Sequence, residues 1–241
     1  MREPARVSLQ NVFATVAFLG IAAFWGEVVV GALALTSAAK LLQTVTLAWG
    51  VQCWANYSLA ASRDYARRIA AGLAFSIFGD FFMMIGVHSH RPSALAAGVL
   101  AFAFTQLFYT RALRRVGSRP APALLLGLPA IFAALAASGR LTLGLPDAFA
   151  AGGALYAVLL GVTVAHATAG LRNDVLPFAA RRAAARGAWL FAITDGLLPL
   201  VVFGPAAGID VPHLGLWVYQ AYIVSQCFFA LSAFRLRSTE E

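Results

Sequence analysis

The chain has 241 residues, of which 61% are hydrophobic and only 12% charged, with a mean hydropathy of +0.77. A water-soluble domain carries about 25% charged residues, so this balance excludes one and indicates a polytopic membrane protein forming a single integral-membrane domain over residues 1–241. The net charge of +8 would suit a nucleic-acid partner, but the basic residues sit in short loops between apolar runs, so they read as topology signals and no nucleic acid is expected.

At about 20 residues per span, a chain of this length holds about eight helices. The apolar runs predict spans at 9–26, 30–52, 67–87, 93–113, 121–138, 148–170, 186–204 and 214–234. The fold class is therefore an all-α, eight-transmembrane-helix bundle. Period-two alternation of polarity is absent, which argues against an outer-membrane barrel. The first apolar run leads straight into the next without a small-x-small site, so no cleaved signal peptide is expected. With this division, fifteen arginines fall on one side: Arg2, Arg6, Arg63, Arg67, Arg68, Arg111, Arg114, Arg115, Arg119, Arg172, Arg181, Arg182, Arg186, Arg235 and Arg237. Arg91 and Arg140 fall on the other, and Lys40 lies inside the second span. The asymmetry predicts cytoplasmic N- and C-termini. Seventeen Arg against one Lys, with abundant Ala, points to a GC-rich bacterium and its inner membrane.

Near the start of the chain, Glu27 beside Trp25 reads as an interface residue that could also neutralise Lys40. In the second span Ser37, Lys40 and Thr44 share a face. Snorkelling to the interface is the plainer reading of Lys40. The third span carries one carboxylate, Asp80, on the face of Gly72 and Ser76. A carboxylate at the centre of a membrane helix costs about 2.5–3.5 kcal/mol on insertion scales, so it normally faces a protein interior or a wet cavity and acts there. The seventh span repeats this design with Gly187 and Asp195. Thr105-Gln106-Leu107-Phe108 in the fourth span answers Ser225-Gln226-Cys227-Phe228 in the eighth. These matches suggest a parallel 4+4 repeat that would bring the two Asp together at one central place. Chance likeness between apolar helices is the equal alternative.

Pro199, four residues after Asp195, cannot donate to the Asp195 carbonyl. A kink and a polar cavity are expected there, since a backbone gap in lipid must be filled. Tyr219, Tyr222 and Gln226 form a polar stripe on the eighth span that could line the same cavity. Cys53 and Cys227 lack metal-ligand spacing and are expected to be free thiols. His88, His90, His166 and His213 show no ligand spacing on a shared helix face, so no metal is expected. Neither a Gly-x-Ser-x-Gly nor a phosphate-binding loop is present.

Four segments in order then resemble the YhhN/TMEM86 lysoplasmalogenase family. They are Lys40-Leu41-Leu42-Gln43-Thr44; the run from Phe75 through Ser76, Gly79 and Asp80 to Met83; the run from Gly187 through Thr194, Asp195 and Gly196 to Leu198; and Tyr222-Ile223-Val224-Ser225-Gln226. Leu41 stands where the family usually has Pro, and Gln106 where it usually has His. The resemblance implies a hydrolase that cuts the vinyl-ether bond of a lysophospholipid among the membrane lipids, with no cofactor. Such a bond breaks after protonation at its β-carbon, which leaves an oxocarbenium ion for water to capture. The reaction needs an acid and a second group to stabilise the cation and direct water, roles that two carboxyls can divide. The residues expected to do this are Asp80 and Asp195. Lys40 would be their electrostatic partner or a phosphate ligand, and Tyr222, Gln226, Gln106, Ser76 and Thr194 would contact substrate or water. A proton-coupled transporter, a non-catalytic lipid-binding subunit, and a hydrolase of another lysolipid or ether lipid are the competing readings.

Overall fold

The computed structural model describes residues 8–58, 60–145, 147–172 and 175–236. Arg2, Arg6 and Arg237 lie outside the described residues. Eight α-helices follow one another: α1 (Leu9–Phe24), α2 (Leu33–Tyr57), α3 (Ala60–His88), α4 (Pro92–Arg115), α5 (Pro122–Leu143), α6 (Asp147–Gly170), α7 (Phe178–Phe203) and α8 (Leu214–Phe234). A π-helical turn, Trp25–Val29, extends α1, and a 3₁₀ turn, Pro205–Ala207, follows α7. Among the described residues, seven helical segments are long and apolar enough to cross a membrane. The other helix, α2, is the longest after α3 and α7, at 25 residues, but Lys40, Gln43, Thr44, Thr46 and Gln52 lower its hydropathy. Its polar residues serve the interior: Thr36, Gln43 and Thr44 are buried. Gln43 Nε2 donates to the Val16 carbonyl at 3.0 Å, tying α2 to α1.

The helices start and stop where local chemistry allows. Pro92 and Pro122 occupy the first helical positions of α4 and α5, where the missing N–H costs nothing. Gly144 ends α5 in the left-handed conformation, at φ 64°. The spans differ from the sequence expectation mainly at their basic ends. α3 and α7 begin about two turns earlier, taking Arg63, Arg181 and Arg182 into helix beside Arg67, Arg68 and Arg186 at the expected starts. A hydropathy reading ends a span where charge begins, but the backbone continues. Asp64 supports the extra turns of α3, pairing with Arg68 one turn on at 3.2 Å and with Arg115 of α4 at 3.1 Å.

Both halves pack in the same pattern. α1/α2, α2/α3 and α3/α4 correspond to α5/α6, α6/α7 and α7/α8, and across the middle α2/α8 corresponds to α6/α4. Gly72 of α3 lies under the Tyr109 ring of α4, and Gly187 of α7 under Phe229 of α8. Tyr109 and Phe229 are equivalent positions in the proposed repeat, and their rings stack at 4.0 Å. That is what a pseudo-twofold axis through the bundle produces. The pattern breaks at α3/α8, whose counterpart α7/α4 is not matched, and at α5, which packs against α7 where the repeat would set it against α4.

α5 is the outlying helix, with Pro129 its one buried residue, and large apolar side chains such as Leu126 and Leu141 face outward, as lipid contact requires. Its anchor is a backbone crossing. A Cβ at Gly161 of α6 would stand 2.6 Å from Pro129 Cα and 2.7 Å from Pro129 N. Backbone cannot swing aside as a side chain can, so Gly161→Ala is expected to push α5 off α6. A loss of about 1–3 kcal/mol, read as a lowered unfolding temperature in detergent, is the expected result.

Candidate functional site

Asp80 sits one turn past Ser76 on α3 and is 4% exposed. Thr44 Oγ1 of α2 donates to its Oδ2 at 2.7 Å, and the Tyr222 hydroxyl of α8 donates to the same oxygen at 3.4 Å. Below it, Gln226 Nε2 donates to Ser76 Oγ at 3.0 Å, and the Tyr109 hydroxyl donates to Gln226 Oε1 at 2.5 Å. Thr105 Oγ1 lies 3.2 Å from Ser76 Oγ and donates to the Gly72 carbonyl at 3.1 Å. Sequence-selected Asp80, Ser76, Tyr222 and Gln226 therefore meet in one buried network on α2, α3, α4 and α8. Tyr109→Phe would leave the buried Gln226 Oε1 without its donor. Its expected cost is about 1–3 kcal/mol in thermal or denaturant unfolding.

Lys40 borders this network. Its Nζ pairs with Glu27 Oε2 at 3.2 Å and lies 5.2 Å from the centre of the Tyr219 ring, whose hydroxyl donates to the Lys40 carbonyl at 2.6 Å. The Glu27 pairing anticipated from the sequence is thus present. Both partners are partly shielded, at 15% and 26% exposed. The ion pair of Lys40 is with Glu27, not with Asp80.

Asp195 stands on α7, with the Tyr156 hydroxyl of α6 donating to its Oδ2. Each carboxylate thus takes a hydroxyl from the helix before its own: Thr44 for Asp80 and Tyr156 for Asp195. No hydrogen bond joins the two Asp: Asp80 is held by Thr44 and Tyr222, and Asp195 by Tyr156. Gln106 is 1% exposed and lies beside the Tyr156 hydroxyl, yet neither of its amide atoms makes a well-formed hydrogen bond. Thr194 turns back on its own helix, its hydroxyl donating to the Phe191 carbonyl at 2.9 Å, so it is not brought to either carboxylate.

A cavity of about 690 Å³ opens beside Asp195, bounded by α5, α6, α7 and the facing edge of α3 and α4. The sequence expectation of a cavity there needs two corrections. Its lining is apolar; among the described residues Asp195 is the one charged side chain on it, and Tyr156, Ser138, Thr142 and Trp189 add polar groups. Ser138 and Thr142 donate to carbonyls of their own helix, so their hydroxyls are already used. Tyr219, Tyr222 and Gln226 do not line it. Phe102 does, and it packs edge-on against Tyr222 at 5.8 Å, with Phe191 5.4 Å from the same ring. This aromatic layer separates Asp80 from the space that reaches Asp195.

Thr44 and Tyr156 are the candidate-site residues that sequence reasoning passed over as partners of the carboxylates. Thr44 was visible on the Lys40 face. The one signal in the sequence for Tyr156 is a hydroxyl in the otherwise apolar run from Gly152 to Leu160. Cys53 and Cys227 are free thiols. Among the described residues, no three His, Cys, Asp or Glu side chains converge as metal ligands would.

An apolar helical bundle with a carboxylate on α3 and α7 and an apolar cavity at one of them defines a polytopic integral membrane protein with an acidic interior site. The particular family follows from comparison: residues 34–233 match the YhhN family, and the chain belongs to it. The match runs from the start of α2 to the end of α8, so it takes in Lys40, Asp80, Gln106, Asp195 and Gln226 and leaves out α1 and Glu27. No curated protein and no solved structure matches the chain.

Proposed function

We propose that this protein hydrolyses the vinyl-ether bond of lysoplasmalogen-type lysolipids, releasing a fatty aldehyde and a glycerophospho-base. The observation that carries the reading is Asp195, held by Tyr156 at the wall of an apolar cavity. Membership of the YhhN family agrees with it.

In this reading Asp195 is the carboxyl that meets substrate. A proton passes to the β-carbon of the vinyl ether, and the double-bond electrons form the new C–H bond. The resulting oxocarbenium ion lies against carboxylate, which stabilises it. Water adds to the cationic carbon and gives up a proton, and the hemiacetal collapses to aldehyde and alcohol. Asp80 supports this chemistry through its charge, from behind the aromatic layer. Lys40, held by Glu27, sets the field at Asp80 or receives the lipid phosphate. The arginine asymmetry supports cytoplasmic termini, and the Arg- and Ala-rich composition supports a bacterial inner membrane.

Purified protein in lipid nanodiscs, given a lysoplasmalogen, should release aldehyde. Aldehyde from a different lysolipid or ether lipid would keep the hydrolase and change its substrate. The two carboxylates in repeated halves also suit a carrier. Substrate flux into liposomes without aldehyde would establish that instead.

A further inference from the structure

We propose that Gly152, Gly153 and Gly196 hold open the berth of a single alkyl chain beside Asp195, and that they set the longest chain the protein accepts. All three line the cavity. Glycine is a poor helix former, and in membrane helices it normally marks a close helix contact. Gly72, Gly79, Gly86, Gly98 and Gly161 follow that rule, each with a neighbouring atom under 3.0 Å from an added Cβ. Gly152, Gly153 and Gly196 break it: an added Cβ meets nothing within 4 Å at any of them. None of the three has the positive φ that would demand glycine, as Gly31 and Gly144 do. Neither packing nor backbone conformation accounts for them, and the space they leave does.

The lining identifies the occupant. It runs along α7 from Trp189 to Phe203, roughly 21 Å at about 1.5 Å per residue, with Leu143, Leu145, Phe149 and Ile209 toward the end of α7. No cationic side chain lines it to take a phosphate. A volume of about 690 Å³ falls within the ordinary range for a bound small molecule. The chemistry is that of a flexible hydrocarbon chain, drawn from the surrounding bilayer, with the head group lying outside this space. The inference refines the proposed function, since the chain would belong to the same amphiphile, but it is read through binding alone.

The test uses the full chain in nanodiscs and a series of saturated lysophosphatidylcholines, which carry no vinyl ether, bearing a photoreactive group at the chain end. Wild-type protein should label best with long chains, at cavity residues such as Val202 and Leu200. Gly153→Leu should weaken long-chain labelling by about tenfold, the value of roughly two displaced methylenes, and leave short chains unchanged. Its unfolding temperature should hold or rise, because leucine favours helix. Gly153→Ala should give a smaller shift in the same direction. Gly127→Leu, which fills equally open space on α5 away from the cavity, should change nothing. Equal loss at every chain length, no loss at any, or a fall in unfolding temperature for both Gly153 variants would each overturn the proposal. A chain-length shift without aldehyde release from lysoplasmalogen would leave it standing while removing the proposed reaction.

Discussion

Asp195→Asn is expected to lower aldehyde release by about 10²–10⁴-fold, the usual loss on removing a positioned general acid or base. Lysolipid labelling and unfolding temperature should stay near wild type. Asparagine keeps the shape of aspartate, and its Oδ1 can still accept the Tyr156 hydroxyl, so no buried donor is stranded. Asp80→Asn should also reduce turnover, but by less. Asp80 is sealed behind Phe102 and Tyr222 and can act only through its field, whereas Asp195 faces the cavity. Thr44 retains an acceptor in that variant too. Initial rates with each purified variant, beside a thermal melt, decide the matter. Turnover close to wild type in both Asn variants would remove the two carboxylates from the chemistry.

Gly72→Val should be the most damaging single change outside the carboxylates. A Cβ at Gly72 would lie 2.3 Å from Tyr109 Cε1 and 2.6 Å from Cδ1. The ring has no retreat, being stacked on Phe229 at 4.0 Å and held at its hydroxyl by Gln226 at 2.5 Å. Relief would have to come from parting α3 and α4, at the floor of the Asp80 network. About 3 kcal/mol or more of destabilisation is expected, the upper end for overpacking. Gly79→Ala offers the contrast. Its Cβ would meet the Phe102 ring at 2.7 Å, but Phe102 borders open cavity and can turn. Melting temperatures in one detergent should rank Gly72→Val well below Gly79→Ala. The reverse order would mean that Tyr109 is not the fixed post described here.

The elements that cross the membrane were legible because the rule behind them is local. A chain in lipid must satisfy its backbone hydrogen bonds within the segment, so long apolar runs become helices whatever their neighbours are. The same rule made Asp80 and Asp195 conspicuous, since charge inside such a run is costly and needs a reason. The likeness of Gly72 to Gly187 and of Gln106 to Gln226 was also readable, and both glycines turn out to seat an aromatic ring of the following helix. The ends of α3 and α7 were misread because hydropathy follows the bilayer, while helical hydrogen bonding follows the chain.

The order of residues thus dictates the helices, their succession and the two positions where a carboxylate is carried into the apolar interior. Tertiary structure alone decided that Thr44 and Tyr156 hold those carboxylates, that α5 stands away from α4, and that the cavity is apolar and touches Asp195 but not Asp80. The physical reason is range. Helix formation and burial cost act within a few residues, whereas a hydroxyl 36 or 39 positions from its carboxylate is placed by how helices cross, which depends on side-chain packing along both.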